Sequence, residues 1–331
     1  MPVFPPYPWQ DAVWQHLLRL NDRQRLPHAL LLSGPAGWGK LALAQSLARY
    51  LLCQAKKATE PCGQCKDCQL SASEDGHPDL FNIEPDGKLF MIKVEAIREV
   101  VSVMTQTALT GGYRLIIINQ AQCMNLAAAN CLLKTLEEPG RQSLLILVSD
   151  APNLLLPTIR SRCQQVQCHS HLNPETEAWL QPYLNGSAFS LETLWQISNA
   201  APLQVKALLE SEQLPFADKL LQQLLESFDA LTLAADCVKH SFSASLIWLI
   251  HLSNDCIRLL SQVPERLIFQ QYQRQLEQRC QAITLTEVFA YLQKCYHYRD
   301  ILNRKVSINE TLALEDLLLS WQKLYLHKSQ T

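Results

Sequence analysis

The chain has 331 residues, 48% of them hydrophobic, and its 29 basic against 31 acidic residues leave a formal net charge of -2. That length accommodates two or three domains with sizeable cores, and the charge balance lacks the basic surplus that marks an independent nucleic-acid binder. The N-terminal Met1-Pro2-Val3-Phe4-Pro5-Pro6 has neither the basic nor the apolar region of a secretion signal, and no apolar run is long enough to cross a bilayer.

Twelve cysteines in a chain with no export signal argue for metal ligands and buried thiols, not for a disulfide framework, and the expected location is cytoplasmic.

In chain order, residues 28–33 (HALLLS) predict a buried strand followed by a glycine-rich turn. Residues 40–53 predict a helix with Leu41, Ala44, Leu47, Ala48 and Leu51 on one face. A second apolar strand is expected over 115–119, a helix over 125–138 stopped by Pro139-Gly140, and a third strand over 144–149. Continuous apolar strands alternating with helices imply a parallel sheet covered on both faces.

The character changes after Cys163. Asn173-Pro174-Glu175 reads as a helix start, with Asn173 as N-cap and proline in the first turn. From there the pattern is helical: leucine-rich stretches follow one another at 217–228, 246–260, 270–281, 285–303 and 310–326.

Gly34-Pro35-Ala36-Gly37-Trp38-Gly39-Lys40 fits the phosphate-binding pattern G-x-x-x-x-G-K, between a strand and a helix as that chemistry requires. Its glycines allow backbone N–H groups to wrap a phosphate, and Lys40 reaches the outer phosphates. The following residue is Leu41, where a Ser or Thr hydroxyl is needed to ligate Mg²⁺. The second strand runs into Asn119-Gln120 where a working site places carboxylates. Neutral amides are poor Mg²⁺ ligands and no general base, so ATP hydrolysis is unsupported at two separate positions.

Cys53-x8-Cys62-x2-Cys65-x2-Cys68 has the spacing of a closed four-thiolate zinc shell, which is structural because no coordination position stays open. The other eight cysteines are scattered and read as small buried hydrophobes.

The strand, phosphate loop and four-cysteine insert are followed by His77-Pro78-Asp79-Leu80, by Ala129-Asn130-Cys131-Leu132-Leu133-Lys134-Thr135-Leu136-Glu137-Glu138-Pro139 and by Ser161-Arg162-Cys163. In this order the motifs resemble the AAA+ subunits of the bacterial replicative clamp loader of DNA polymerase III. The resemblance is sharp over about 20–165 and fades beyond.

It implies an α/β P-loop (AAA+) domain with a parallel sheet over 1–165, with a zinc insert at 53–68. A small helical lid over 166–209 and an all-helical collar over 210–331 would follow. It also implies partnership with gamma/tau and delta subunits in a pentameric ring, and contact with the sliding clamp and primer-template DNA through that assembly. In such rings the arginine matching Arg162 reaches the ATP of a neighbouring subunit. Hydrolysing relatives also carry a nucleotide-sensing arginine in the lid. The matching stretch, Asn199-Ala200-Ala201-Pro202-Leu203-Gln204, has none.

The resemblance therefore implies a non-hydrolysing member, in which Gly34, Gly37, Gly39 and Lys40 form a degenerate loop and Arg162 acts in trans. Two alternatives stay open at this level. An active motor would need a divergent Mg²⁺ site, for which Asp150 is the nearby acid. A zinc-dependent nucleic-acid module would have Lys56, Lys57 and Lys66 as its bases, opposed by Glu60 and Asp67.

Overall fold

A computed structural model describes residues 7–73, 76–87, 90–104, 106–110, 112–140, 142–184, 186–303 and 307–326. Helix α1 (Asp11–Asp22) precedes strand β1 (Ala29–Ser33) and helix α2 (Lys40–Leu52); the short α3 (Lys66–Leu70) leads to β2 (Leu80–Ile83). Then come α4 (Val94–Met104), β3 (Arg114–Ile118), α5 (Leu126–Glu137), β4 (Ser143–Ser149), the single turn α6 (Pro157–Arg160) and β5 (Gln164–Gln167).

The strands form one parallel sheet in the order β2-β3-β4-β1-β5. β1, β3 and β4 are buried at every position, as two-sided coverage demands. Successive residues of β1 serve opposite faces: Leu30 and Leu32 join a core with Trp14, Leu43 and Leu47, whereas Ala29 and Leu31 join one with Ile97, Leu132 and Leu136. So α1 and α2 cover one face, and α4 and α5 the other. The sheet is doubly wound, and chemistry in such folds gathers where the strands end.

The three apolar strands and the helices at 40–53 and 125–138 lie where the sequence predicts them, to within a residue or so at each end. Asn125 caps α5, accepting from the N–H of Ala128 at 2.8 Å. β2 and β5 have no counterpart among the expected elements. They lie at the sheet edges, and β5 (QQVQ) buries only Val166.

The chain divides into two compact units, residues 1–180 with 199–204, and 181–198 with 205–331. Helix α7 (Pro174–Leu180) belongs to the first, and Asn173 caps it through the N–H of Thr176 at 2.8 Å. In the second unit, the α-helices among the described residues are α8 (Leu191–Ile197), the rest of α9 (Pro202–Leu209), α10 (Gln213–Leu225), α11 (Ala230–His240), α12 (Phe242–Leu260), α13 (Gln273–Cys280), α14 (Leu285–Asn303) and α15 (Glu310–Leu326), with no strand among them. α12 packs on α14 and α11 on α15. Buried Asp255 ties this unit together by accepting from the N–H groups of Ile268 and Phe269 and pairing with Arg258. No helix among the described residues is long and apolar enough to cross a membrane.

Candidate functional site

Gly34 follows β1 directly, and Asp150 follows β4 directly. Because β1 and β4 are parallel neighbours in register (Ser33 opposite Ser149), the phosphate loop and Asp150 emerge side by side. Lys40 opens α2 and is almost wholly buried. Its Nζ donates to the carbonyls of Gly34 (2.8 Å) and Pro35 (2.7 Å) and to Asp150 Oδ1 (2.6 Å). An ammonium has three donors, so all are engaged.

The rest of the loop is held from several sides. Gln10 Nε2 donates to the carbonyls of Trp38 and Gly39, and Trp9 Nε1 to that of Trp38. Gly37 and Gly39 take left-handed φ values of 79° and 89°, open to glycine at no steric cost. A Cβ at Gly34 would collide with the carbonyl of Cys168, and one at Gly37 with Gln204. Leu41 is a partly buried hydrocarbon packed against the apolar core on the α1–α2 face of the sheet, at the position that chemistry would give to a hydroxyl.

Residues 199–204, the stretch expected from the sequence to lack a sensing arginine, reach the loop. Asn199 and Ala200 turn the chain with φ of 52° and 57°, Ser170 Oγ fixes the carbonyl of Ala200 at 2.7 Å, and the N–H of Leu203 donates to the carbonyl of Gly37 at 3.0 Å. Leu203 and Gln204, not an arginine, meet the loop.

Asn119 and Gln120 leave β3 at the same edge of the sheet. Asn119 Nδ2 donates to Glu84 and its Oδ1 accepts from the N–H of Gln120, which sits in the left-handed region with φ 48°. The Gln120 side-chain oxygen in turn accepts from Cys123 Sγ at 3.9 Å. Asp150, the acid available to a divergent metal site, is committed to Lys40.

Arg162 stands at the other end of the sheet. β5 runs parallel to β1 with Gln164 opposite Leu30, so Arg162, two residues earlier, lies beyond the start of β1 while Gly34 lies beyond its end. The extended chain from Leu30 to Gly34 alone spans about 13 Å. The Arg162 guanidinium donates to Glu137 Oε1 at 2.7 Å and to the carbonyl of Thr158 at 3.1 Å, with over a third of the side chain exposed. Cys163 is buried, and burial pushes its thiol up to about 12, so it packs and does not react. Arg160 has its Nε buried without a hydrogen bond.

The four cysteines converge. Cys53 caps the end of α2, Cys68 lies in α3, and Cys62 and Cys65 lie between; all four sulfurs fall within 4.8 Å of one another. The Cys62–Cys68 and Cys65–Cys53 separations are both 3.9 Å. A tetrahedron of zinc–sulfur bonds has edges of about 3.8 Å, so the residues fit the metal.

Backbone N–H groups point at the sulfurs, Cys62 and Cys65 among the donors. Burial pushes the Cys65 thiol up, but hydrogen bonds from the backbone of Cys68 and Gln54 outweigh it and bring it down to about 6. The N–H groups of Gln64 and Cys65 lower Cys62, while burial raises Cys53 and Cys68. Of the remaining eight cysteines six are buried, and Cys123 and Cys131 are half-buried.

Asp67 is not the surface counter-charge its sequence suggests. It is buried inside the C-x-x-C turn and accepts from His77 Nε2 at 3.1 Å. His77 Nδ1 accepts the N–H of Asp79 at 3.0 Å, which fixes the proton on Nε2. Asp79, fully buried, accepts in turn from the N–H groups of Leu109 and Thr110, the Thr110 hydroxyl and Arg114. One buried polar chain thus runs from the cysteine turn to the first residue of β3. The histidine and its two aspartates are invisible to periodicity; only the compact His77-Pro78-Asp79 cluster after the cysteines signals them.

A family model described as "DNA polymerase III, delta subunit" matches residues 9–171, and one described as "DNA polymerase III, delta subunit, C terminal" matches 211–323. The chain is 34% identical over 324 residues to DNA polymerase III subunit delta' of Pseudomonas aeruginosa, covering 96% of this chain and 98% of that protein. It is 31% identical over 327 residues to the Escherichia coli subunit delta', covering 95% and 94%. DNA polymerase III subunit tau of Bacillus subtilis shares 32% identity over 168 residues, 49% of this chain and 29% of that protein. Likeness to the delta' proteins over almost the whole of both chains, against likeness to tau over about half of this chain, decides between them: the chain belongs to the delta-prime family of the DNA polymerase III clamp loader.

Proposed function

We propose that this protein is a non-hydrolysing subunit of the clamp loader that donates Arg162 as an arginine finger to the ATP site of a neighbouring subunit. The observation that carries this is the polarity of the sheet. Arg162 is exposed at the end where β1 begins, and its own phosphate loop lies at the end where β1 finishes. A guanidinium so placed cannot serve its own loop, and a planar permanent cation on a surface suits the charge of a transferring phosphoryl group. Leu41, Asn119 and Gln120 supply neither a metal ligand nor a base, which supports the absence of hydrolysis here.

Cys53, Cys62, Cys65 and Cys68 hold a structural Zn²⁺ in this reading. The 1–165 domain, the 166–209 lid and the 210–331 collar assemble with gamma/tau and delta subunits into a cytoplasmic pentameric ring. That ring acts on the sliding clamp and primer-template DNA.

The test is reconstitution of the clamp loader with Arg162→Ala in this subunit. ATP turnover and clamp loading should fall; unchanged rates would remove the finger role.

A further inference from the structure

The glycine loop with its lysine is nearly complete, yet no other part of the site supports phosphoryl chemistry. Lys40 explains how such a loop persists. Each of its three ammonium donors has an acceptor, at 2.8, 2.7 and 2.6 Å, and the side chain is only 3% exposed. Two acceptors are carbonyls of the loop itself. The third, Asp150, is the sole carboxylate among them, comes from the adjacent strand, and keeps 34% of its side chain exposed.

The loop's shape does not depend on this carboxylate. Gln10, Trp9 and the N–H of Leu203 hold the carbonyls of Gly37, Trp38 and Gly39 independently. A phosphate approaching Lys40 finds no donor available and a fixed negative charge beside it.

We propose that Asp150 is the resident anion of the 34–40 loop, a specificity-determining residue that keeps nucleotide phosphate off Lys40. This rests on the reading that the site does not hydrolyse ATP, and it goes further: the site is closed to the nucleotide because the chain supplies its own anion. Asp150 is a partner of the lysine and not a remnant metal ligand. Removing its charge while keeping its shape should uncover a preformed phosphate site.

The experiment is a calorimetric titration of the full-length chain with ATP in the presence of a chelator that removes magnesium. Asp150→Asn is expected to bind ATP about tenfold tighter than the wild type or better. Asp150→Glu should stay closed, and the gain should vanish in the double variant Asp150→Asn/Lys40→Ala. Thermal melting of each variant reports that it is folded.

Equal affinity for ATP in the folded wild-type and Asp150→Asn proteins overturns the proposal, whether both bind or neither does. Should Asp150→Asn not fold, the wild-type protein decides by ¹⁵N NMR of lysine Nζ. A protected Lys40 resonance that ATP does not move supports closure, and one that ATP shifts overturns it. Equal binding by the two proteins would sink this proposal while leaving the absence of hydrolysis and the Arg162 experiment intact.

Discussion

The Arg162 guanidinium rests 2.7 Å from Glu137 Oε1, with 36% and 51% of the two side chains exposed. An ion pair that open to water contributes about 0–1 kcal/mol. Arg162→Ala should therefore leave thermal stability nearly unchanged while lowering ATP turnover at the site it serves by about 10³-fold or more. Arg162→Lys should restore little, because an ammonium cannot reproduce the planar two-pronged contact. Parallel melting curves and steady-state ATPase rates of the reconstituted complex check both halves. A large loss of stability would assign Arg162 a structural role instead.

Removing metal should loosen one part of the molecule only. The cysteine turn is tied to α2 through Cys53 and to Ser71 through Arg49, whereas β1, β3 and β4 are buried without its help. Hydrogen exchange after chelator treatment should accelerate over 53–73 and leave the three central strands protected. Cys65→Ser should reproduce the effect and lower the bound zinc per chain. Loss of protection in β3 or β4 would mean that the metal supports the whole domain.

His77 is the joint between that turn and the sheet. In His77→Ala the buried Asp67 carboxylate loses its donor and the N–H of Asp79 its acceptor. Stranding such groups costs about 2–3 kcal/mol. Zinc should also be lost to a chelator about tenfold faster or more, since Asp67 sits inside the C-x-x-C turn. Denaturant unfolding and the kinetics of zinc transfer to a coloured chelator measure the two effects. A variant with wild-type zinc release would confine His77 to simple packing.

In the helical unit, burial and then the cations of Arg258 and Arg299 push His251 down to about 4 from its ordinary 6.5. The folded protein keeps this imidazole neutral where the unfolded chain would take up a proton. Stability from this group is complete above pH 6.5, declines as pH falls from 6.5 toward 4, and levels off below. The total loss is about 1–3 kcal/mol. His251→Gln should flatten that slope, read from urea midpoints of the two proteins between pH 4 and 7. Parallel slopes for both would show that His251 does not titrate across this window.

What the sequence made legible follows from how locally each feature is encoded. β1, β3 and β4 announce themselves because burial on two faces leaves no polar positions, and the cysteine cluster because its ligands are neighbours in the chain. β2 and β5 escaped because edge strands are half wet, and QQVQ carries no apolar alternation long enough to notice. Asp150 and Gln10 are 110 and 30 residues from Lys40, and only the fold brings them to its loop. Asp67 is the sharpest case. A carboxylate beside a lysine in a polar insert reads as solvated, and its burial is decided by a histidine ten residues on.

The orientation of β1 between its two ends has a consequence for counting. A sheet of this kind has a receiving edge, where its strands finish, and an offering edge, where they begin. Here Lys40 at the receiving edge is paired with the chain's own Asp150, and the offering edge presents the Arg162 guanidinium to the outside. If Arg162 acts as proposed, in a row of related subunits each handing an arginine to the next, a member that gives one and takes none opens the succession. It adds one more protein than it adds catalytic sites, so the complex should contain fewer bound triphosphates than AAA+ chains, a ratio that native mass spectrometry reads directly.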